Sequence, residues 1–103
     1  MFEYIKGELT VKKVDYIAID INGLAYKVYI SLKTYESLGD LGSNQKVYIY
    51  TNVKEDNISF YGFKSENERE LFRSLVSISG VGPKLALAIL STYNTKDVID
   101  IVY

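Results

Sequence analysis

The segment Ser79-Gly80-Val81-Gly82-Pro83-Lys84 joins two stretches of the chain whose apolar residues recur at helical spacing. Its two glycines provide backbone conformations that a Cβ would forbid. Pro83 suits the first position of a helix, where a missing N–H costs nothing. The pattern therefore predicts a tight hairpin between two helices. The flanking apolar positions are Leu71, Phe72, Leu75 and Val76 upstream and Leu85, Ala86, Ile89 and Leu90 downstream.

The predicted hairpin has the chemistry of an anion site. The first N–H groups of the second helix lack partners within that helix and lie at the positive end of its dipole. Lys84 adds a cation beside the backbone of Gly80, Val81 and Gly82. We expect these four residues to bind a backbone phosphate of a nucleic acid, in a helix-hairpin-helix motif. A purely structural turn is the alternative, because many helix-helix turns use glycine only to turn tightly.

Length and composition narrow the classes of function. A chain of 103 residues fits one domain or two very small ones. Because histidine and cysteine are absent, we predict no catalytic residue, no metal site and no cofactor. We expect no signal peptide and no membrane span. Twelve basic and thirteen acidic residues exclude a broad positive field, so DNA binding would depend on backbone donors, a few local cations and several copies acting together.

Residues 1–63 have the period-two alternation of β-strands. Asn22-Gly23 lies between two alternating runs and is a strong hairpin signal, since both positions need a positive φ. Five short antiparallel strands with one helical interruption predict a small five-stranded barrel of the OB type. A generic five-stranded sheet is the alternative. The predicted strands cover 2–12, 16–21, 24–30, 47–53 and 58–63, and the short helix covers 33–38.

Most of the ten tyrosines lie in this strand-rich half. Aromatic side chains on the face of an OB barrel can stack the bases of a single strand. Aromatic residues are also favoured in ordinary strands. Because the spacing does not distinguish the two roles, we interpret the tyrosines as structural.

Residues 64–103 change to helical periodicity. Ser65 followed by Glu68 forms a capping box that predicts a helix start, and Thr95 is the expected cap of a later helix. The chain closes on apolar residues without a stop signal, so we expect a truncated helical unit. The predicted organisation is an OB-type oligomerisation domain over 1–63 and the first part of a helix-hairpin-helix domain over 64–103. The predicted helices cover 66–78, 83–90 and a third segment with Val98, Ile99 and Val102.

The order of these features resembles the RuvA family, whose members bind four-way Holliday junctions. The resemblance covers essentially the whole chain. It is most specific in Gly80-Val81-Gly82-Pro83-Lys84-Leu85-Ala86-Leu87-Ala88-Ile89-Leu90 and next in Lys54-Glu55-Asp56-Asn57. It implies a barrel that builds a homotetramer, with an octamer as the alternative, and hairpins that hold the junction arms. It also implies that Glu55 and Asp56 form an acidic pin that keeps the strands apart.

The same resemblance implies a non-catalytic subunit of an ATP-driven branch-migration complex in bacterial recombination and repair, acting in the cytoplasm with a RuvB-type ATPase. The chain itself has no Walker-type phosphate loop. Members of the family continue into a second helix-hairpin-helix and a small domain that contacts the ATPase. Neither is present in these residues, so we expect weaker DNA binding and no coupling to the motor.

Three interpretations stay open beside this one. Glu55 and Asp56 fit an ordinary solvated turn equally well, and only an assembly around an axis would concentrate their charge against phosphates. A single-strand-binding OB module predicts preference for single strands and losses when exposed strand tyrosines are replaced. An assembly scaffold that contacts no nucleic acid predicts that Lys84→Glu changes only surface charge.

Overall fold

The computed structural model describes residues 2–103, so that Met1, the first residue of the proposed barrel domain, lies outside the described part. Five strands come first, with one short helix among them, and three further helices follow. In chain order the elements are β1 (Tyr4–Lys12), β2 (Tyr16–Ile21), β3 (Leu24–Tyr29), α1 (Leu32–Ser37), β4 (Asn44–Lys54), β5 (Asn57–Phe63), α2 (Glu66–Val76), α3 (Pro83–Thr92) and α4 (Thr95–Val102).

The five strands form a closed barrel in the order β1-β2-β3-β5-β4. Neighbouring strands are antiparallel except β3 and β5, which pair in parallel at Val28 with Phe60 and Tyr29 with Tyr61. The predicted OB-type barrel followed by a helical region is therefore confirmed, and the open five-stranded sheet is excluded. The prediction of antiparallel pairing throughout was wrong at this one closing pair.

Alternation along the strands fills the barrel. Ile17 and Ile19 on β2 are fully buried, and Val28 on the returning strand packs with them. The turn between β2 and β3 has the predicted geometry, with φ of +55° at Asn22 and +89° at Gly23. The carboxylate of Asp20 accepts the Gly23 N–H at 2.8 Å and fixes the turn.

Several element ends differ from prediction for local reasons. β1 begins at Tyr4 rather than at residue 2, and the Phe2 ring packs edge-on against Tyr26 and Phe60. Asn94, and not Thr95, caps α4, since its side chain accepts the Asp97 N–H at 2.8 Å. β3 ends one residue earlier than predicted, α1 lies one residue earlier at both ends, and β4 and β5 are longer. α2 ends at Val76, and α3 extends to Thr92.

The helices pack on the outer surface of the barrel. Phe72 of α2 is fully buried and lies 5.4 Å from the Tyr61 ring and 4.9 Å from the Phe63 ring, both of β5. Ala86 of α3 is fully buried in the same cluster, where its small side chain permits close approach of α2 and α3. The division into domains at residue 63 stays a prediction.

Arg69 fastens α2 to the N-terminal segment. Its guanidinium lies 2.6 Å from the Glu3 carboxylate and donates to the Glu3 carbonyl at 2.8 Å. The side chain is almost entirely buried, and its ion pairs with Glu3 and Glu70 raise its pKa against the opposing effect of burial. None of the helices within residues 2–103 is long and apolar enough to cross a membrane.

Four of the strand tyrosines have a lysine ammonium over one face of the ring. Lys27 lies over the rings of Tyr16 and Tyr29, at 4.5 and 5.2 Å from their centroids. Lys46 covers Tyr4 and Tyr48 in the same way. These contacts support a structural role for the tyrosines.

Candidate nucleic-acid interface

The hairpin between α2 and α3 follows the predicted course. α2 ends at Val76, and the Ile78 N–H bonds back to the Leu75 carbonyl at 3.1 Å. α3 begins at Pro83, and its N-cap is Gly82. Because glycine has no side chain, it caps none of the first N–H groups of the helix. The first turn of α3 is therefore left open toward solvent.

The donors of the hairpin differ in one respect from prediction. Val81 is half-buried against the helical core, and its N–H donates to the Ile78 carbonyl at 3.0 Å. Within residues 2–103, the N–H groups of Gly80, Gly82, Lys84 and Leu85 donate no hydrogen bond. The backbone of Gly80 and Gly82 can thus meet an anion directly, whereas Val81 holds the loop in shape.

The two glycines serve different purposes. Gly80 has a φ of +85°, which favours glycine strongly. Gly82 has φ −89° and ψ 174°, an extended conformation that any residue adopts, so the prediction of a special conformation was wrong at Gly82. A Cβ built on either glycine meets no atom within 4 Å. The space at both Cβ positions is therefore open, and a methyl group at Gly82 would enter it without a clash.

Leu85 is the donor that sequence reasoning missed. Its N–H belongs to the third residue of α3, and the first N–H groups of any helix have no partner inside it. The sequence signal for this donor is Pro83. Because proline favours the first position of a helix, Lys84 and Leu85 are expected to be the second and third residues of α3. The exposed backbone of Lys84 and Leu85 lies at the positive end of the helix dipole.

The Lys84 side chain lies at a groove that separates α3 from the barrel. The groove has a volume of about 390 Å³, and Asp15 and Leu87 are also among its lining residues. At its other end, the Leu32 N–H donates to the Ser91 hydroxyl at 3.0 Å and ties α3 to α1. Among residues 2–103, Lys84 forms no ion pair, which leaves its charge available to a ligand.

The acidic turn occupies the tip of the β4–β5 hairpin. Lys54 pairs with Asn57, so that Glu55 and Asp56 alone form the connection, and all four residues are exposed. The next cross-strand pair, Val53 and Ile58, is also exposed, at 64% and 60%. The tip therefore projects from the body of the barrel with its carboxylates outermost.

The two predicted sites are separate within one protomer. Between residues 2 and 103, no hydrogen bond or ion pair joins the acidic turn to the hairpin at Gly80–Lys84. The same part of the chain holds no group of three acidic, histidine or cysteine side chains that could bind a metal ion. A ligand that contacts both sites must therefore bridge them.

Two family models match the sequence. The RuvA N terminal domain matches residues 1–62, and the SAM-like Helix-hairpin-helix tandem matches residues 72–102. The first of these corresponds to the barrel, and the second to the hairpin and its helices.

Curated relatives cover almost the whole chain. The Holliday junction branch migration complex subunit RuvA of Fusobacterium nucleatum is 46% identical over 102 residues, 99% of this chain and 52% of the relative. The proteins of the same name from Acetivibrio thermocellus and Chlorobium phaeobacteroides are 45% and 46% identical over 91 and 98 residues. The chain spans about half the length of these relatives. By its barrel and its hairpin alike, the chain belongs to the RuvA family.

Proposed function

We propose that this chain is a non-catalytic, structure-specific DNA-binding subunit that recognises four-way junctions. The observation that carries the proposal is the open first turn of α3. Within residues 2–103, the N–H groups of Gly80, Gly82, Lys84 and Leu85 donate no hydrogen bond and Lys84 forms no ion pair, and the space at the Cβ positions of the two glycines is open. A backbone phosphate fits such a site because donors and dipole both favour an anion.

The acidic turn would contribute to recognition through assembly. Glu55 and Asp56 project from the barrel and are not neutralised by any ion pair in the described residues. A homotetramer would gather these carboxylates near one axis, where they repel phosphates at short range. Attraction at the hairpins and repulsion at the centre together favour an open junction over a stacked one.

The whole assembly would serve branch migration in bacterial recombination and repair. The relatives are named as subunits of a Holliday junction branch migration complex, which supports a motor partner of the RuvB type that hydrolyses ATP. The chain would act in the cytoplasm, where bacterial DNA is found. Weak contacts at the hairpin, repeated across several copies, would supply the affinity.

Gel-shift titration of a four-way junction and a matched duplex at low salt tests the proposal. The wild-type chain should bind the junction preferentially, and Lys84→Glu should weaken that binding by about tenfold or more, since it replaces a phosphate contact by a repulsion. Lys64→Glu is the matched control. It makes the same charge change just before the N-terminal end of α2, a helix about 16 Å long at 1.5 Å per residue whose other end leads into the hairpin.

The alternatives give different results in the same titration. A single-strand-binding module would bind an unpaired oligonucleotide more tightly than the junction. An assembly scaffold would bind neither, and Lys84→Glu would then behave like Lys64→Glu. Either pattern would refute junction recognition by this hairpin.

A further inference from the structure

A lysine ammonium is held over a pair of tyrosine rings on the outer face of β2 and β3. Tyr16 of β2 is directly opposite Tyr29 of β3, and Lys27 lies two residues before Tyr29. Ile17 and Val28 are buried in the barrel, so the alternation of both strands turns these three side chains outward. The Lys27 ammonium lies 4.5 Å from the centroid of the Tyr16 ring and 5.2 Å from that of the Tyr29 ring. The rings therefore fix the position of an exposed positive charge.

This charge lies beside the proposed phosphate site. The Tyr29 ring carries the Lys27 ammonium and also lines the groove between α3 and the barrel, which Lys84 lines as well. Lys84 belongs to the first turn of α3, where the open N–H groups of the hairpin lie. Lys27 thus stands on the barrel side of the groove and Lys84 on the α3 side.

Lys27 decides the sign of the charge around the groove. Among the described residues that line it, Lys84 is the one cation and Asp15 the one carboxylate, so the lining itself has no net charge. Within residues 2–103, Lys27 forms no ion pair. Its charge makes the surface beside the hairpin positive, although the whole chain has a net charge of −1.

The contacts of Lys27 favour a phosphate over a base as the ligand. The ammonium lies over one face of the Tyr16 ring and one face of the Tyr29 ring, which closes those faces to a stacked base. Within residues 2–103, the lysine side chains that donate hydrogen bonds do not include Lys27. The three N–H donors of its ammonium are therefore available to an oxyanion.

We propose that Lys27 is a second contact for the DNA backbone, across the groove from Lys84. A strand whose phosphate is bound at the hairpin continues over the groove, and a further phosphate of the same duplex arm meets the Lys27 ammonium. Contacts of this kind position an arm without reading its sequence. The inference rests on the proposed function for its DNA ligand, and it deepens that function by extending the contact surface from the helices to the barrel.

The salt dependence of DNA binding tests this contact. A lysine that neutralises one phosphate adds about 0.9 to the slope of log affinity against log salt concentration. Gel-shift titrations at several salt concentrations between about 50 and 200 mM measure that slope. Lys27→Gln should lower it by about 0.9 for each copy bound. Affinity at low salt should fall about tenfold or more, and by the same factor for a four-way junction and a matched duplex.

Lys46→Gln is the matched control. Lys46 lies over the rings of Tyr4 and Tyr48 in the same way, at 4.2 and 4.9 Å from their centroids, but it belongs to β4 and does not line the groove. Both variants lose one charge and one pair of ring contacts, so their melting temperatures should change by similar amounts. Lys46→Gln should keep the wild-type slope, and so should Lys27→Arg, which retains a cation over the two rings.

Equal slopes in the two glutamine variants would overturn the proposal. If both slopes were retained, Lys27 would be left to solvent or to an acidic protein; if both were reduced, net charge alone would explain the effect. Failure of the proposed function gives a different result. A wild-type chain that binds junction and duplex equally would remove junction recognition, while a lower slope of Lys27→Gln on duplex would still support the backbone contact. A wild-type chain that binds no DNA would remove both.

Discussion

Thr34 donates a hydrogen bond from its hydroxyl to the Glu68 carboxylate at 3.0 Å, and this bond joins α1 to α2. The Ser65 hydroxyl accepts the Glu68 N–H at 3.1 Å, as a capping box requires. In a full capping box the Glu68 carboxylate would accept the Ser65 N–H. Here it accepts the Thr34 hydroxyl instead and so makes a tertiary contact. Thr34 is almost fully buried, whereas Glu68 is partly exposed.

Glu68→Gln should reduce the dependence of stability on pH. Burial raises the pKa of Glu68, and the hydrogen bond from Thr34 and the charge of Lys33 oppose this only in part. The folded chain therefore binds the proton more tightly than the unfolded chain. The free energy of unfolding should fall as pH rises from the ordinary glutamate pKa of about 4.3 through the raised value.

Urea unfolding at a series of pH values across that window measures the effect. The glutamine retains an oxygen that accepts from Thr34 and carries no charge, so the variant should show a shallower slope and equal or greater stability at neutral pH. Asn67→Gln, a non-ionisable change at an exposed position in the same first turn, should keep the wild-type slope. An unchanged slope in Glu68→Gln would mean that its burial does not control this part of the pH profile.

Alanine at Gly80 should act mainly on stability, and alanine at Gly82 mainly on binding. Gly80→Ala forces a φ of +85° on a residue with a Cβ and should cost about 1–2 kcal/mol of stability. Gly82→Ala fits its extended backbone, but alanine is a poorer N-cap than glycine, so stability should fall only slightly, by less than about 1 kcal/mol. Its methyl group would stand in the open space before the hairpin, so junction affinity should fall.

Chemical denaturation and junction titration of both variants check this contrast. Gly82→Ala is informative because its fold is expected to be intact, so weaker binding cannot be attributed to unfolding. Full junction affinity in Gly82→Ala would place the phosphate elsewhere. Full stability in Gly80→Ala would show that the loop relaxes to another conformation.

Local rules predicted most of the hairpin, and tertiary contacts explain the rest. Pro83 predicted the start of α3 through a preference that acts over a few residues, and the flanking apolar residues predicted the two helices but not their far ends, Val76 and Thr92. The bond from the Val81 N–H to the Ile78 carbonyl depends on the loop path, which no residue type dictates. The groove beside Lys84 is lined by residues of the barrel, of α1 and of α3, so it depends on how these elements pack together.

Arg69→Met should destabilise the protein by about 1–3 kcal/mol, because it removes charged hydrogen bonds to the Glu3 segment from a buried position. Arg73→Met is the matched control on the same helix. Its side chain is 58% exposed and its nearest carboxylate oxygen, on Glu70, is 3.7 Å away, so the change should stay within about 0.5 kcal/mol. Urea denaturation compares the two, and equal losses would show that Arg69 is not a specific anchor.

Removing the charge of the acidic turn should reduce strand separation in the bound junction without weakening binding to it. The double variant Glu55→Gln with Asp56→Asn keeps the size of both side chains on an exposed two-residue turn, so the fold should be unaffected. Junction binding should be equal or tighter, because fewer carboxylates oppose the phosphates. Strand separation at the crossover should decrease, as measured by a fluorescent base analogue placed there.

Glu36→Gln with Asp40→Asn makes the matched change at two exposed acids outside the turn. It should alter neither binding nor fluorescence if the effect belongs to the acidic turn and not to net charge. Unchanged separation in the Glu55 and Asp56 variant, with binding retained, would remove the pin role from the turn. Lost binding would instead make the turn part of the contact surface, since neutral side chains cannot repel the phosphates more strongly than carboxylates do.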